Sequence, residues 1–274
     1  MTRIKRSTAL ITGGASGIGK LMGQKILQQG CSKLVIWDVD EKALQDLSEM
    51  WADHGYDIYP YQVDVSKNHQ VEQMALDVLQ HVGKVDILIN NAGVVVGKDF
   101  SAHSAADIDT TIDVNIRGVM QVTRCFLEPM IKQGRGHIVN IASAAALIPN
   151  PKMSVYAGSK WAVLGWSESL RLELEQLSRK LKVTTVTPSY IDTGMFEGVK
   201  APLLTPLLEP EEIVQEIMTA IMEDKILVRA PQIVNVIPFL RGVLPTRLFD
   251  FTAQQLGVYT SMDRFKGRDG ATED

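Results

Sequence analysis

A tyrosine and a lysine four residues apart, Tyr156 and Lys160, are of the types that can exchange a proton with a substrate. They fall in a stretch of helical periodicity, so they lie on one helix face about one turn apart. A free tyrosine has a pKa of about 10, and its use as a general base near neutral pH requires roughly 1.4 kcal/mol of phenolate stabilisation per unit of pKa. The Lys160 ammonium can supply much of that. The alternative for the pair taken alone is a surface helix pair without chemistry.

Ser143 directly follows an apolar run, residues 136–141, that indicates a strand. Ligands bind at the carboxyl ends of strands in open α/β sheets, so the Ser143 hydroxyl could hold a substrate oxygen. A turn or capping role is the alternative for this serine taken alone.

A glycine-rich turn, TGGASGIG at residues 12–19, ends another strand-like run and leads directly into a helical one. Gly13, Gly17 and Gly19 let the backbone turn tightly, approach a pyrophosphate and pack the helix against the sheet, while the helix N-terminus offers free N–H groups to phosphates. A flexible strand–helix turn would show the same glycines. However, Asp38 ends the next strand about 20 residues later, where a carboxylate can accept hydrogen bonds from an adenosine ribose. The combination predicts a dinucleotide cradle.

Asp38 also predicts which dinucleotide binds. Its charge would repel a 2′-phosphate, and the glycine-rich turn holds no Arg or Lys to neutralise one. We therefore expect NAD rather than NADP. A strand-end cap or a surface acid is the alternative role for Asp38.

The elements that must position these residues alternate along the chain, short β-rich runs with longer helical stretches, which indicates a parallel sheet covered by helices on both faces. Several runs, such as LVIW and ILIN, are continuously apolar, as strands buried on both faces should be. Strands are predicted at residues 8–12, 33–38, 57–63, 86–90, 136–141, 183–187 and 226–229. Helices are predicted at residues 41–53, 71–82, 108–132 and 154–177, with another starting near Glu211. The predicted fold is a doubly wound, parallel, seven-stranded Rossmann-type sheet forming a single domain.

The composition excludes several functions. The chain has 274 residues, 45% of them hydrophobic, and a net charge of −4, which is typical of a globular protein and gives no overall basic footprint for nucleic acid. Two cysteines cannot form a disulfide framework, and the five histidines show no metal-ligand spacing. No secretory signal and no run of about 18 apolar residues is present. We expect a cytoplasmic protein that binds neither metal nor nucleic acid and has no transmembrane segment.

Taken together, these motifs resemble those of the short-chain dehydrogenase/reductase family, in order and spacing, over about the first 195 residues. The matching positions are residues 12–19, 64–65, 90–93, Asn115, Ser143 and 156–160. The resemblance implies that Tyr156 is the acid/base and that Lys160 lowers its pKa and binds the nicotinamide ribose. It implies that Ser143 orients the substrate oxygen, and that Asn115 distorts its helix and ties a water chain to Lys160.

The resemblance also implies the rest of the cofactor site. The backbone at Asn91, Ala92 and Gly93 would approach the cofactor, and Asp64 with Val65 would hold the adenine. Pro188, Ile191 and Thr193 fit the loop that closes over the nicotinamide amide. Ser189 departs from the family, which usually has glycine there, and so puts the local backbone path in doubt. The full predicted cofactor set is Gly13, Ser16, Gly17, Ile18, Gly19, Asp38, Asp64, Val65, Asn91, Ala92, Gly93, Tyr156, Lys160, Pro188, Ile191 and Thr193.

A looser resemblance, centred on residues 193–198 and the Leu/Pro-rich segment after them, is to the family branch acting on retinoids, steroids and long-chain alcohols. Pocket walls are expected from residues 144–153 and 195–208 and from the C-terminal tail, where the apolar side chains include Leu147, Ile148, Phe196, Leu203 and Leu204. Residues 1–195 would thus carry cofactor and catalysis, and residues 196–274 the lid, the last strand and an apolar tail.

The expected function is NAD-dependent hydride transfer to or from an apolar alcohol or ketone. A catalytically silent dinucleotide-binding regulator and a carbonyl reductase of small polar substrates are the alternatives. The family implies a homodimer or homotetramer. The apolar stretch at residues 233–241 could line a pocket, meet a second subunit or contact a membrane surface.

Overall fold

The computed structural model describes residues 1–267, and within them seven parallel strands form one sheet in the order β3-β2-β1-β4-β5-β6-β7. The strands are β1 Thr8–Thr12, β2 Lys33–Asp38, β3 Ile58–Gln62, β4 Ile87–Asn90, β5 Gly136–Ile141, β6 Leu181–Pro188 and β7 Leu227–Ala230. The predicted doubly wound Rossmann-type sheet is confirmed, and each predicted strand lies within two residues of the observed one.

The α-helices of the described chain alternate with these strands up to β7. They are α1 Gly17–Gln28, α2 Glu41–Ala52, α3 Asn68–His81, α4 Ala105–Ile112, α5 Val119–Gln133, α6 Ser154–Leu177, α7 Pro210–Glu223, α8 Ile237–Val243 and α9 Thr246–Gln255. The predicted single helix at residues 108–132 is wrong in detail, since a π-helical segment at Asp113–Gly118 separates α4 from α5.

Two apolar cores, one on each face of the sheet, explain the continuously apolar strands. Successive strand residues point to opposite faces, so in β1 the side chains of Ala9 and Ile11 enter one core and Leu10 enters the other. The first core is closed by α1, α2 and α7, and the second by α3, α5 and α6. Both side-chain sets of each central strand are therefore buried.

The strand order reverses beside β1, which lies between β2 and β4. Because α1 after β1 and α5 after β4 cover opposite faces, a crevice opens at the carboxyl ends of these strands. Residues 196–267 contribute α7, β7, α8 and α9. They join the sheet through β7, which pairs with β6. Residues 268–274 of the predicted tail lie outside the described residues. Within residues 1–267, no helix combines the length and apolar character that a bilayer span requires.

Candidate active site

The glycine-rich turn between β1 and α1 has a backbone that demands glycine at two positions. Gly13 and Gly17 have φ angles of +61° and +51°, in the left-handed region. Gly19 is required for a different reason, because a Cβ there would lie 2.0 Å from the carbonyl oxygen of Gly13. The first turn of α1 thus packs directly on the glycine turn and presents its N-terminus at the crevice.

Neighbouring strand ends hold this turn in place. The Asn91 side-chain amide donates to the carbonyl oxygens of Thr12 (3.1 Å) and Gly13 (2.8 Å), and the Thr12 hydroxyl accepts from the backbone N–H groups of Asn91 and Ala92. The sequence motifs suggested only a backbone role for residues 90–93. The structure shows that the Asn91 side chain positions the turn, together with Thr12, which sequence reasoning did not single out.

Asp38, at the end of β2, accepts a hydrogen bond of 2.9 Å from the backbone N–H of Ala15 in the glycine turn. Its second carboxylate oxygen accepts from Val39 and Asp40. Asp64 lies at the end of the next strand along the sheet, where its carboxylate accepts from the N–H of Ser66. Both carboxylates therefore lie at the crevice in fixed orientations.

One cleft joins nearly the whole predicted cofactor set. Of that set, Gly19 alone does not line it, in keeping with its packing role. The cleft runs from Asp38 and Asp64 at one end to the predicted catalytic residues at the other. Its lining includes Gly13, Ser16, Gly17, Ile18, Val65, Asn91, Ala92, Gly93, Pro188, Ile191 and Thr193. A ribose-type acceptor at Asp38, a carboxylate at the predicted adenine position, a glycine turn at a helix N-terminus and a buried lysine fit a dinucleotide.

Tyr156 and Lys160 lie in the first turns of α6, each only 5% exposed. The Lys160 ammonium donates to the carbonyl oxygen of Ile141 at 2.9 Å and lies 5.6 Å from the centre of the Tyr156 ring. Within residues 1–267 this is the one hydrogen bond of an ammonium that has three N–H donors. The remaining donors suit the hydroxyl groups of a ribose bound in the cleft.

Burial dominates the ionisation of this pair. It raises the pKa of Tyr156 to about 12, although a hydrogen bond with the Ser143 hydroxyl acts in the opposite direction. It lowers the pKa of Lys160 to about 8. The expected lowering of the Tyr156 pKa is not seen in the chain itself, because the low-dielectric site disfavours the charged form of both groups.

Ser143 caps a short 3-10 turn between β5 and α6, as its alternative structural role suggested, since its hydroxyl accepts from the N–H of Ala145 at 3.1 Å. The same hydroxyl donates to the carbonyl oxygen of Pro188 at 3.5 Å, and it lies close enough to Tyr156 to act on the pKa of the phenol. The capping role of Ser143 is therefore present in the structure, and its role in orienting a substrate oxygen stays a prediction.

Asn115 lies in the π-helical segment and is fully buried, so the expected helix distortion at this residue is present. Its side chain pairs with the backbone of Val94, accepting from the N–H and donating to the carbonyl oxygen, each at 2.9 Å. It also donates to the Ser159 hydroxyl at 3.1 Å. A Cβ on Gly93 would lie 3.3 Å from the Asn115 Oδ1 and 3.5 Å from the Lys160 Nζ. Asn115 thus connects the loop that follows β4 to α6. The water chain to Lys160 stays a prediction.

An apolar pocket adjoins the cofactor cleft and shares Ser143, Ser189 and Phe196 with it. Ile148 and Leu204 line the pocket as expected. Two expected wall residues do not line it. Leu147 is buried against Val234, and Leu203 is 80% exposed to solvent. The apolar stretch at residues 233–241 lines the pocket, contributing Ile233, Val234, Val236, Ile237 and Leu240.

A buried polar cluster forms one wall of this pocket and was not found from the sequence. Hydrogen bonds of 2.8–2.9 Å join Asn150, Tyr190 and Ser261 to one another. The Tyr190 ring contacts Phe196 edge-on at 5.1 Å, and Phe196 in turn contacts the Tyr156 ring at 6.1 Å. This cluster fastens the C-terminal segment to the catalytic wall. Three neutral residues spread over 111 positions carry no sequence signal of such a contact.

Ser189 occupies the position where the family usually has glycine. Its backbone is not in the left-handed region, and its N–H donates to the carbonyl oxygen of Ala230 at 2.8 Å. The backbone path therefore does not require glycine. The side chain lines both the cofactor cleft and the apolar pocket, so it narrows the passage between them.

Within residues 1–267, no three His, Cys, Asp or Glu side chains are grouped so as to hold a metal ion. His137, for example, is buried at the start of β5 between the hydroxyl groups of Thr2 and Thr184.

A parallel sheet with a dinucleotide cleft and a buried tyrosine–lysine pair at its carboxyl edge defines a nucleotide-dependent oxidoreductase. The profile of the family described as short chain dehydrogenase matches residues 7–203, and the chain belongs to this family. It is 36% identical over 263 residues to Epidermal retinol dehydrogenase 2 of Mus musculus, a match covering 94% of this chain and 85% of that protein. It is 33% identical over 250 residues to Estradiol 17-beta-dehydrogenase 11 of Macaca fascicularis, covering 91% and 83%.

Solved structures show the same fold with both dinucleotides. A short chain dehydrogenase/reductase from Burkholderia phymatum in complex with NAD is 28% identical, with a TM-score of 0.79 over 93% of this chain and 97% of that one. A metagenomic short-chain oxidoreductase in complex with NADP is 26% identical, with a TM-score of 0.71 over 83% and 96%. The fold therefore binds a dinucleotide, and the choice between NAD and NADP depends on local residues.

Proposed function

We propose that this dehydrogenase uses NAD to move a hydride between the nicotinamide and the carbinol or carbonyl carbon of an apolar substrate, such as a steroid, a retinoid or a long-chain or secondary alcohol. The observation that carries the proposal is the apolar pocket that meets the cofactor cleft at Ser143. Its walls are mostly aliphatic and aromatic, and two of the polar side chains among them, those of Asn150 and Tyr190, are already hydrogen bonded to each other. The names of the retinol and estradiol dehydrogenases among the relatives support the same substrate class.

The bound dinucleotide supplies the hydride acceptor or donor. The protein positions the substrate oxygen between the hydroxyl groups of Ser143 and Tyr156, which both line the cofactor cleft. Tyr156 Oη takes the proton from the substrate hydroxyl in oxidation and returns it in reduction. Lys160 holds a positive charge beside the phenol, which stabilises the phenolate form, and Asn115 keeps the adjoining strand loop against α6. The apolar pocket excludes water from the reacting carbon.

The choice of NAD rests on Asp38. Its carboxylate is held at the cleft by three backbone N–H groups, those of Ala15, Val39 and Asp40. A 2′-phosphate next to this fixed negative charge would be repelled, and residues 12–19 contain no Lys or Arg that could offset the repulsion.

The test is turnover, measured through NADH absorbance, across retinol, a steroid alcohol, a long-chain alcohol and a small polar secondary alcohol, each with NAD and with NADP. We expect turnover of the apolar alcohols with NAD. Tyr156→Phe should lose about 100-fold or more of this rate while keeping its dinucleotide affinity. Tyr59→Phe, at the exposed edge strand β3, is the matched control and should keep full activity.

Two outcomes would refute this proposal and favour another function. Silence with every alcohol and ketone, combined with tight dinucleotide binding, would favour a dinucleotide-binding regulator. Faster turnover of small polar carbonyl compounds than of apolar ones would favour a carbonyl reductase of small polar substrates.

A further inference from the structure

A second large cleft lies at the edge of the sheet opposite the active site, where β1, β5 and β6 begin. Eight Lys and Arg side chains line it, against two carboxylates, although the whole chain carries a net charge of −4. Like charges that are gathered together repel one another and destabilise a compact fold. A cationic cleft in an acidic protein is therefore not explained by stability.

The two carboxylates in the cleft are already engaged by the chain. Asp86 accepts hydrogen bonds from the backbone N–H of Thr8 (3.0 Å) and from the Lys84 ammonium (2.9 Å). Asp224 accepts from both the N–H and the hydroxyl of Thr2, at 2.8 and 2.7 Å. These acids hold the N-terminal segment and the loop before β4 in place. Within residues 1–267 these two acids form ion pairs with three of the cleft's cations, Lys84, Arg135 and Lys182, and with none of the other five.

Five of the eight cations make no ion pair within residues 1–267: Arg3, Lys5, Arg6, Arg179 and Lys180. All five are exposed. Three come from the N-terminal segment and two from the loop that leads into β6, so they face the cleft from two separate parts of the chain. Guanidinium groups bind phosphate oxygens through two parallel N–H donors, and ammonium groups add point charges.

We propose that this basic cleft binds an anion that carries several phosphate charges, either a soluble polyphosphate or a phosphorylated lipid headgroup. The concave shape with cations on two walls suits a compact anion that enters between them. Among the described residues no Phe, Tyr or Trp lines the cleft, so they offer no platform on which nucleic acid bases could stack. Since the cleft lies at the amino edge of the strands, its occupation does not compete with the dinucleotide at the carboxyl edge.

Titration calorimetry of the full chain with sodium tripolyphosphate, at low and at high salt, tests the proposal. We expect binding that weakens with salt, as screening requires. The charge-reversal variant Arg3→Glu/Arg179→Glu/Lys180→Glu should weaken it by about tenfold or more. The control Lys42→Glu/Arg124→Glu/Lys132→Glu makes the same change in net charge on exposed helix faces and should stay within about twofold of the wild type. Arg179→Gln/Lys180→Gln provides a milder variant and should show an intermediate loss.

Sedimentation with phosphatidylcholine vesicles, with and without phosphatidic acid, distinguishes the two sources of phosphate. Binding to tripolyphosphate alone identifies a soluble ligand, and binding only to vesicles that contain phosphatidic acid identifies a headgroup. Dinucleotide affinity should be the same in all variants. The proposal is overturned if the wild type binds neither probe, or if the cleft variant and its control lose binding equally, because the effect would then follow net charge rather than this cleft.

Discussion

Lys160 carries an ammonium group into the interior of the protein, and replacing it by methionine should stabilise the fold near neutral pH while ending turnover. The side chain is 5% exposed, and a single carbonyl oxygen, that of Ile141, accepts a hydrogen bond from it in the described chain. Methionine keeps a similar length and volume and carries no charge. Lys160→Met therefore removes the cost of burying the cation and leaves the packing of α6 intact.

The lowered pKa of Lys160 gives the magnitude. A change from 10.5 to about 8 corresponds to about 3 kcal/mol of unfavourable desolvation when the lysine is charged. Losing the hydrogen bond to Ile141 and leaving its carbonyl oxygen unpaired costs about 1–2 kcal/mol. The variant should thus be more stable than the wild type by about 1–2 kcal/mol below pH 8.

The pH dependence has a definite sign. Between about pH 8 and 10.5 the unfolded chain keeps the Lys160 proton while the native state has lost it, so wild-type stability rises with pH across that window. The advantage of Lys160→Met should therefore shrink as the pH rises. Urea unfolding at about pH 6.5 and about pH 9.5 measures both effects. Lys42→Met, at an exposed position of α2, is the control, and its stability difference from the wild type should be the same at both pH values. A Lys160→Met protein that is less stable at both pH values, or whose difference from the wild type is the same at both, would refute the reasoning.

Three further changes follow from the contacts of the site. Asp38→Ser removes the charge next to the ribose position, so the ratio of NADP to NAD affinity, measured by fluorescence titration, should rise about tenfold or more; an unchanged ratio would locate the selectivity elsewhere. Tyr190→Phe breaks the hydrogen bonds to Asn150 and Ser261, so KM for long apolar alcohols should rise more than KM for short ones, and a uniform loss of kcat would contradict a role in shaping the pocket. Gly19→Ala brings a Cβ against the Gly13 carbonyl oxygen and should weaken dinucleotide binding, whereas Gly165→Ala, with open space around its Cβ in α6, should keep it and stabilise the fold by about 0.5–1 kcal/mol.

The sheet could be predicted from the sequence because its strands are buried on both faces. Every residue of β1 and β4 is buried, and residues 9–11 and 87–89 enter one apolar core or the other, so these stretches are apolar without interruption. The glycine-rich turn could also be predicted from the sequence. The φ angles of Gly13 and Gly17, and the contact of Gly19 with the Gly13 carbonyl oxygen, require glycine at these positions. Both features depend only on residues that are close together in the sequence, so the sequence pattern shows them.

Features that depend on distant partners could not be found this way. The apolar spacing alone predicted one continuous helix at residues 108–132, and the distortion at Asn115 was expected only from the family resemblance. The buried pairing of Asn115 with Val94 shows why the helix is widened there. The polar cluster of the pocket wall joins Asn150 to Ser261 across most of the C-terminal half. Leu203 shows the converse, an apolar residue in an irregular segment whose side chain stays in solvent. Hydrophobicity without periodicity does not tell which way a side chain points.

Two features of this chain oppose stability, and they lie at opposite edges of one sheet. Within residues 1–267, the Lys160 charge at the carboxyl edge is held in a low-dielectric site with one carbonyl partner, and Arg3, Arg6 and Arg179 at the amino edge line one cleft with other cations and form no ion pair. A sequence under selection for folding alone would replace these residues, since neutral side chains of similar size would fit both places. Ribose hydroxyls offer acceptors to the first charge, and phosphate oxygens would neutralise the second. On the two proposals made above, ligand binding relieves both costs, which is the reason to look for function at both edges.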